Sequence, residues 1–392
     1  MTRTEDDLQR PPVPPRRTTT VAEAPTVAAG TAVAEDAVGS GNTRRAAARP
    51  LPPAPPGPGA PRPRLRLTRL GVAVAVAAAV ALLMGVILAT GFLASPGAPG
   101  TGPPPAAVQV MTRTAAASVA FDPRGGWLAD DHDGTVRRFD PGTGRPVGPA
   151  IHVGGRPIAV AAGYGRVWVA DISGSVVRQI DPADGRLVGA PVPVAQGPVS
   201  MAAGDGGLWV ASLLAGTVSL VDPRTGQVEA SAALPDGAVR VVAGPGGVWV
   251  SGQTHTLTRI SPRPDGGSLR WRAVGVGQGP LGVAVGAGAV WVANVQSGTV
   301  SRVDPTTVRV TATYRVGGAG SAPADPEMVA VWRGRVWVAD GQQGVLAALD
   351  PATGLQQGSA VTLPGVVRQL VVDPGGTLWG ATANPGTVVR FS

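Results

Sequence analysis

Residues 157–186 read PIAVAAGYGRVWVADISGSVVRQIDPADGR. An apolar run ends in a Gly-Tyr-Gly turn. A Val-Trp-Val run follows, then Ser-Gly-Ser, a second β-branched run, and Asp-Pro closing on another glycine. β-branched and aromatic residues favour extended backbone, and Gly, Ser, Asp and Pro between them break it into short strands. The phrase recurs. Its tryptophan stands at Trp127, Trp168, Trp209, Trp249, Trp291, Trp337 and Trp379, with spacings of 41, 41, 40, 42, 46 and 42. Asp-Pro follows 13 residues later at Asp140, Asp181, Asp222, Asp304 and Asp350. A period near 41 means an array of small sheets, each burying its faces only against its neighbours.

Each repeat predicts four antiparallel strands, A to D, at 158–162, 166–170, 176–180 and 187–194 in the quoted copy. Strands A and B are apolar on both faces, as strands sandwiched between sheets must be. The last copy carries A, B and C only, and the run 106–111 before the first copy is a spare strand. Closing a ring with that strand removes an exposed sheet edge. The expected fold class is therefore all-β, a seven-bladed β-propeller over 106–392, with the seven tryptophans wedged between blades.

What precedes the repeats is different in kind. Residues 1–69 are rich in Pro, Ala, Thr and Arg and too poor in large apolar groups to offset their ordering entropy, which predicts a disordered cytoplasmic tail. Residues 70–94 are 25 residues without a charge. As a helix they span roughly 37 Å at about 1.5 Å per residue, enough to cross a hydrocarbon core of about 30 Å. Arg62, Arg64, Arg66 and Arg69 precede this run, and no charge follows until Arg113. The positive-inside rule then places the N-terminus in the cytoplasm and the repeats outside the membrane. A cleaved signal peptide competes, but its charged leader would have to be 69 residues long. Ala73, Ala77, Ala81, Gly85 and Ala89 set a small residue at every fourth position, a stripe suited to pairing two helices as a homodimer. Residues 95–105 are a Pro/Gly linker.

Composition excludes several chemistries. There is no cysteine, so no disulfide, thiolate nucleophile or Cys-based metal site. The net charge of +8 sits mainly in the tail: 1–69 hold 11 Arg against 6 acids, whereas 95–392 hold 22 Arg against 19. The aromatics fall at a core station rather than among basic residues, which argues against nucleic-acid binding.

Val-Trp-Val-Ala-Asp/Asn, then Gly-Thr-Val, then Asp-Pro-x-Thr-Gly resembles the YVTN-type propeller repeats, and also the streptogramin B lyase-like and NHL-like propellers, over about 106–392. Tail, single helix and propeller together resemble the sensor half of actinobacterial receptor kinases, without a kinase domain: 69 residues cannot hold one. The lyase resemblance implies a His and Glu residues around a magnesium ion on the upper face. Those residues do not carry over. After the strand A proline stand Ile158, Val199 and Leu281, and at the end of strand B stand Asp130, Asp171, Ser212, Gly252, Asn294, Asp340 and Thr382. The contiguous Asp130, Asp131, His132 and Asp133 offer metal-ligand types, and equally a polar turn ending in Asp-Gly.

The expected function is accordingly a membrane-anchored, extracytoplasmic, non-catalytic binding or sensing module with no cofactor; the alternative is a metal-assisted lyase or lactonase-like hydrolase. The expected ligand face lies where the repeat spacing stretches to 46. The extra residues fall in the D–A connection 317–327, GGAGSAPADPE, which brings Asp325 and Glu327 to the upper face. Asn294 and Gln296 of blade 5 and Asp340 and Gln342 of blade 6 are expected to flank it.

Overall fold

In the quoted copy, Pro157–Gly163, Arg166–Asp171, Val176–Ile180 and Leu187–Pro193 pair in order as one antiparallel four-stranded sheet. The computed structural model describes residues 108–113, 116–261, 268–317, 325–341, 344–383 and 386–392. Among them are seven such sheets, the seven blades of an all-β propeller. The expected tail, membrane helix and linker lie outside the described residues. No helix among the described residues is long and apolar enough to cross a membrane.

Blade 7 takes Val366–Val372, Leu378–Ala383 and Thr387–Phe391 as its first three strands. Its fourth place is filled by Val108–Arg113, antiparallel to Thr387–Phe391 from the pair Val108↔Phe391 to the pair Arg113↔Thr387. The ring therefore closes with one blade built from both ends of the repeat region. Strand D shrinks to Ile151–His152 in blade 1 and Val361–Thr362 in blade 6. In blade 1, Pro146 and Pro149 withhold ladder donors from the segment that would lengthen it.

Every repeat tryptophan is buried and packs against the next blade. Trp127 lies with Val160, Val167 and Val169 of blade 2, and Trp168 with Leu208 and Val210 of blade 3. Trp379 lies with Val119, Leu128 and Phe139 of blade 1, which carries the same contact across the closing seam. The indole N–H is satisfied inside its own A–B hairpin: Trp168 Nε1 donates to Gly163 O at 3.2 Å, and Trp209, Trp291 and Trp337 repeat the bond five residues back. Trp249 Nε1 is the exception, buried without a partner.

The Asp-Pro turns are Asx turns. Asp140, Asp181, Asp222, Asp304 and Asp350 each accept the backbone N–H two residues on, at 2.8–2.9 Å. Backbone N–H donors hold the carboxyls of Asp140, Asp222, Asp304 and Asp350 below the usual carboxylate range. These aspartates shape the turn that returns the chain from strand C to strand D.

Candidate functional site at the channel mouth

Antiparallel order puts every D–A and B–C connection on one face of the ring, the upper one, and every A–B and C–D turn on the other. On the upper face the two connections of a blade are hydrogen-bonded together. The residue before strand A accepts the N–H of the residue after strand B: Ile172 N to Arg156 O at 3.1 Å, Leu213 N to Gly197 O at 2.8 Å, Val295 N to Gly279 O at 2.9 Å and Gly341 N to Asp325 O at 3.1 Å.

The side chain near the end of strand B completes this junction. Asp171 Oδ1 accepts the N–H groups of Arg156, Ser173 and Gly174 and the Ser173 hydroxyl. Burial pushes the Asp171 carboxyl up; these hydrogen bonds, Ser173 foremost, outweigh burial and leave it below the usual range. Asp130 accepts from His132 N and Asp133 N, and Asp340 from Asp325 N at 3.1 Å. In blade 4 the corresponding residue is Gly252, and Asp236 from the D–A connection supplies the carboxylate instead, accepting Thr254 N, His255 N and Thr256 N. In four of the blades, then, a carboxylate at this junction binds loop backbone.

The expected ligand residues divide accordingly. Asn294 is fully buried and donates to Thr299 Oγ1 at 3.1 Å and Ser301 Oγ at 2.9 Å, so it supports the B–C loop. Asp340 is 4% exposed and holds the D–A connection of its own blade. Gln296 is exposed, while Gln342 lies outside the described residues. Asp325 and Glu327 are half-buried, and both interact electrostatically with Asp340. The three carboxylates of blade 6 thus lie near enough to act on one another's charge, without being grouped as metal ligands.

One boundary differs from expectation. Glu327 is the second residue of strand A, Pro326–Trp332, rather than the end of the connection. Pro326 occupies the place that Pro157 holds in blade 2, so Asp325 corresponds to Arg156 and Glu327 to Ile158. The extra residues therefore lie at 318–324, outside the described residues. A glutamate has replaced an apolar residue on the channel strand. Its carboxyl lies directly against Gly341, where a Cβ would overlap it.

Burial, then the charges of Asp340 and Asp325, raise the Glu327 carboxyl to about 7. Burial and Asp340 also raise Asp325. The folded state therefore binds the Glu327 proton more tightly than the unfolded state, with its ordinary value of 4.5. Stability from this group is present at low pH and is lost as pH rises from about 4.5 through about 7. Glu327→Gln is expected to melt higher than the parent at pH 8 and nearly with it at pH 4.5. Parallel melting curves at both values would show the carboxylate to be solvated.

Across the mouth the charges are balanced. Asp131 of blade 1 pairs with Arg156 of blade 2 at 3.2 Å and Arg368 of blade 7 at 3.8 Å. The neighbouring Asp133 takes Thr135 N and Oγ1 and Arg137 Nη2, which makes 130–133 a tied turn. Among the described residues no three His, Asp or Glu side chains are grouped to hold a metal ion. Among the described residues the magnesium set implied by the lyase resemblance is not matched: the carboxylates at the strand B ends accept loop N–H groups, and the carboxylates beside His132 are bonded to backbone, Thr135, Arg137 and Arg156.

No family model and no curated protein matches the chain. Solved structures do. The fold is that of the streptogramin B lyases and the WD40 propellers. A streptogramin B lyase aligns with a TM-score of 0.62 at 14% identity, over 74% of this chain and 98% of the other. A catalytically inactive virginiamycin B lyase from Staphylococcus aureus, solved with quinupristin, gives 0.62 at 13%, over 73% and 99%. The WD40 repeats of RRP9 give 0.60 at 12%, over 74% and 99%. At such identities the likeness is one of fold.

Sequence reasoning missed the third position of strand A, which lines the channel. Ser118 Oγ accepts Val160 N at 3.1 Å, Ser200 Oγ accepts Val241 N at 3.2 Å, and Gln369 Oε1 accepts Val119 N at 2.7 Å. Each bond joins one blade to the next. The signal was a polar residue in an otherwise apolar strand, at the same offset from tryptophan in blades 1 and 3.

Proposed function

We propose that this chain is a single-pass membrane protein with a cytoplasmic N-terminus, whose extracytoplasmic propeller works as a non-catalytic binding or sensing module. The uncharged 70–94 run with four arginines ahead of it supports the anchor and its orientation, and the small-residue stripe supports helix pairing. The ligand contacts Asp325 and Glu327, with Gln296 and Gln342 beside them; Asp340 and Asn294 hold the loops that carry these groups. The combination of acidic side chains and amides suits a cationic or hydroxyl-rich ligand.

The observation that carries the non-catalytic reading is the use made of the carboxylates at the strand B ends and in the first B–C loop. A catalytic acid or base must be free to exchange a proton with substrate. Asp130, Asp171 and Asp340 accept backbone N–H groups, and Asp133 accepts Thr135 and Arg137. The test is turnover. Quinupristin incubated with the purified protein and Mg²⁺ is expected to stay intact while a streptogramin lyase control linearises it. Ring opening that requires the protein, and that Glu327→Gln abolishes, would establish the lyase reading in place of this one.

A further inference from the structure

Below the mouth, the channel holds a cavity of about 500 Å³ walled by the A strands of all seven blades. Its wall is mostly Ala, Val, Ile and Met, and its polar groups gather at the upper end: Arg240, Arg368, Ser118, Ser200 and Gln369. Arg240 opens strand A of blade 4, Arg240–Gly244, in register with the third residue of that strand in blade 2, Ala159. In the other blades that place holds Ser118, Ala159, Ser200, Gly282, Met328 and Gln369. Its guanidinium crosses the channel, and Nη2 donates to Arg368 O on blade 7 at 3.4 Å, a long bond to a neutral acceptor.

Arg240 is a cation without a counter-charge. No ion pair reaches it among the described residues, and its Nε is sealed from solvent without a hydrogen bond. Of the five other described arginines that bury an unpartnered Nε, Arg138, Arg302 and Arg390 lie over the Trp127, Trp291 and Trp379 rings, Arg178 pairs with Asp171, and Arg259 donates to Pro305 O at 3.2 Å away from the channel. Arg240 has no such ring. Arg368 beside it is matched by Asp131. Burial alone draws the Arg240 guanidinium down to about 10. An unpaired charge in such a place is costly unless something neutralises it.

The groups around it are donors. The oxygens of Ser118, Ser200 and Gln369 already accept N–H groups across the blade seams, which leaves two hydroxyl hydrogens and an amide NH₂ to give. The one carboxylate of the cavity among the described residues, Asp373, lies at the far end and is taken by Thr377 N and Trp379 Nε1. A fork of guanidinium donors flanked by hydroxyl and amide donors is the chemistry that binds an oxyanion.

We propose that the propeller channel is an anion site, in which Arg240, with Ser118, Ser200 and Gln369, binds a small oxyanion: a carboxylate, sulfate or phosphate. The site is separate from the acidic mouth of blade 6 and does not depend on the ligand proposed there. A bound anion would also tie blade 4 to blades 1, 3 and 7 across the axis.

The test uses the full chain with inorganic phosphate, sulfate or succinate, each against chloride at matched ionic strength. The melting temperature is expected to rise with at least one oxyanion in a saturable way, and calorimetry to give one site per chain. Arg240 is half-buried, and Arg240→Met removes its unpaired charge. It is expected to melt no lower than the parent in chloride and to lose at least tenfold in oxyanion affinity. Arg240→Lys keeps the charge but not the fork, and is expected to lose about fivefold or more. It decides the matter should the Met variant fail to fold. No oxyanion-specific shift in the parent, or an unchanged affinity in the folded variants, overturns the proposal. Which of the three anions binds tells a carboxylate ligand from a phosphate or sulfate.

Discussion

Trp168→Ala and Trp291→Ala are each expected to cost about 3–5 kcal/mol, the range for truncating a fully buried large aromatic. Both side chains have 0% exposure. Each ring fills the wedge between two blades: Trp168 against Leu208, Val210 and Val221, and Trp291 against Val329, Val336 and Val338. Each also loses the indole bond to the carbonyl five residues back, Gly163 or Gly286. A closed ring leaves little room to collapse around the void, because every blade is held on both sides. Equilibrium denaturation measures the effect. A loss well under 1 kcal/mol at both sites would be incompatible with a buried role for these rings.

Removing the closing strand is expected to be as damaging. Val108–Arg113 pairs through five residue positions with Thr387–Phe391. At about 1 kcal/mol per ladder bond the loss is roughly 4 kcal/mol before any packing is counted. It also bares the edge of Thr387–Phe391, with Val388, Val389 and Phe391 in that strand, as a template for another chain. A protein beginning at Thr114 is expected to melt lower than one beginning at Pro103 and to form higher oligomers on size exclusion. Equal melting temperatures and a monomer in both would mean that the strand adds nothing to the ring.

The architecture was legible because the chain states it seven times. Tryptophan, glycine turn and Asp-Pro recur at fixed offsets, and each has one physical use: a wedge, a tight reversal, an Asx turn. The site was less legible because it depends on where single residues depart from the repeat. Asn294 reads in sequence as a polar residue at a strand end; in the fold it is buried under its own loop, bonded to Thr299 and Ser301. Glu327 reads as part of an insertion, because the added residues sit immediately before it; Pro326 resets the register and puts it on strand A. Arg240 was invisible. Nothing in the sequence near it shows that its neighbours across the channel are donors from three other blades. The gathering of Asp325, Glu327 and Asp340 follows from the junction that ties the D–A connection to the end of strand B, a contact across about 15 residues of chain that no local pattern reports.

The central claim is that the propeller stands outside the membrane, presented to whatever it binds, with the tail inside. The absence of cysteine permits a direct measurement: a single introduced cysteine reports its own side of the membrane. Leu355, 69% exposed on a C–D turn of blade 6, is a suitable place on the propeller, and Thr18 on the tail. In intact cells a membrane-impermeant maleimide is expected to label Leu355→Cys at once and Thr18→Cys only after the membrane is opened. Labelling of Thr18→Cys in sealed cells, or of Leu355→Cys only after lysis, would contradict the account.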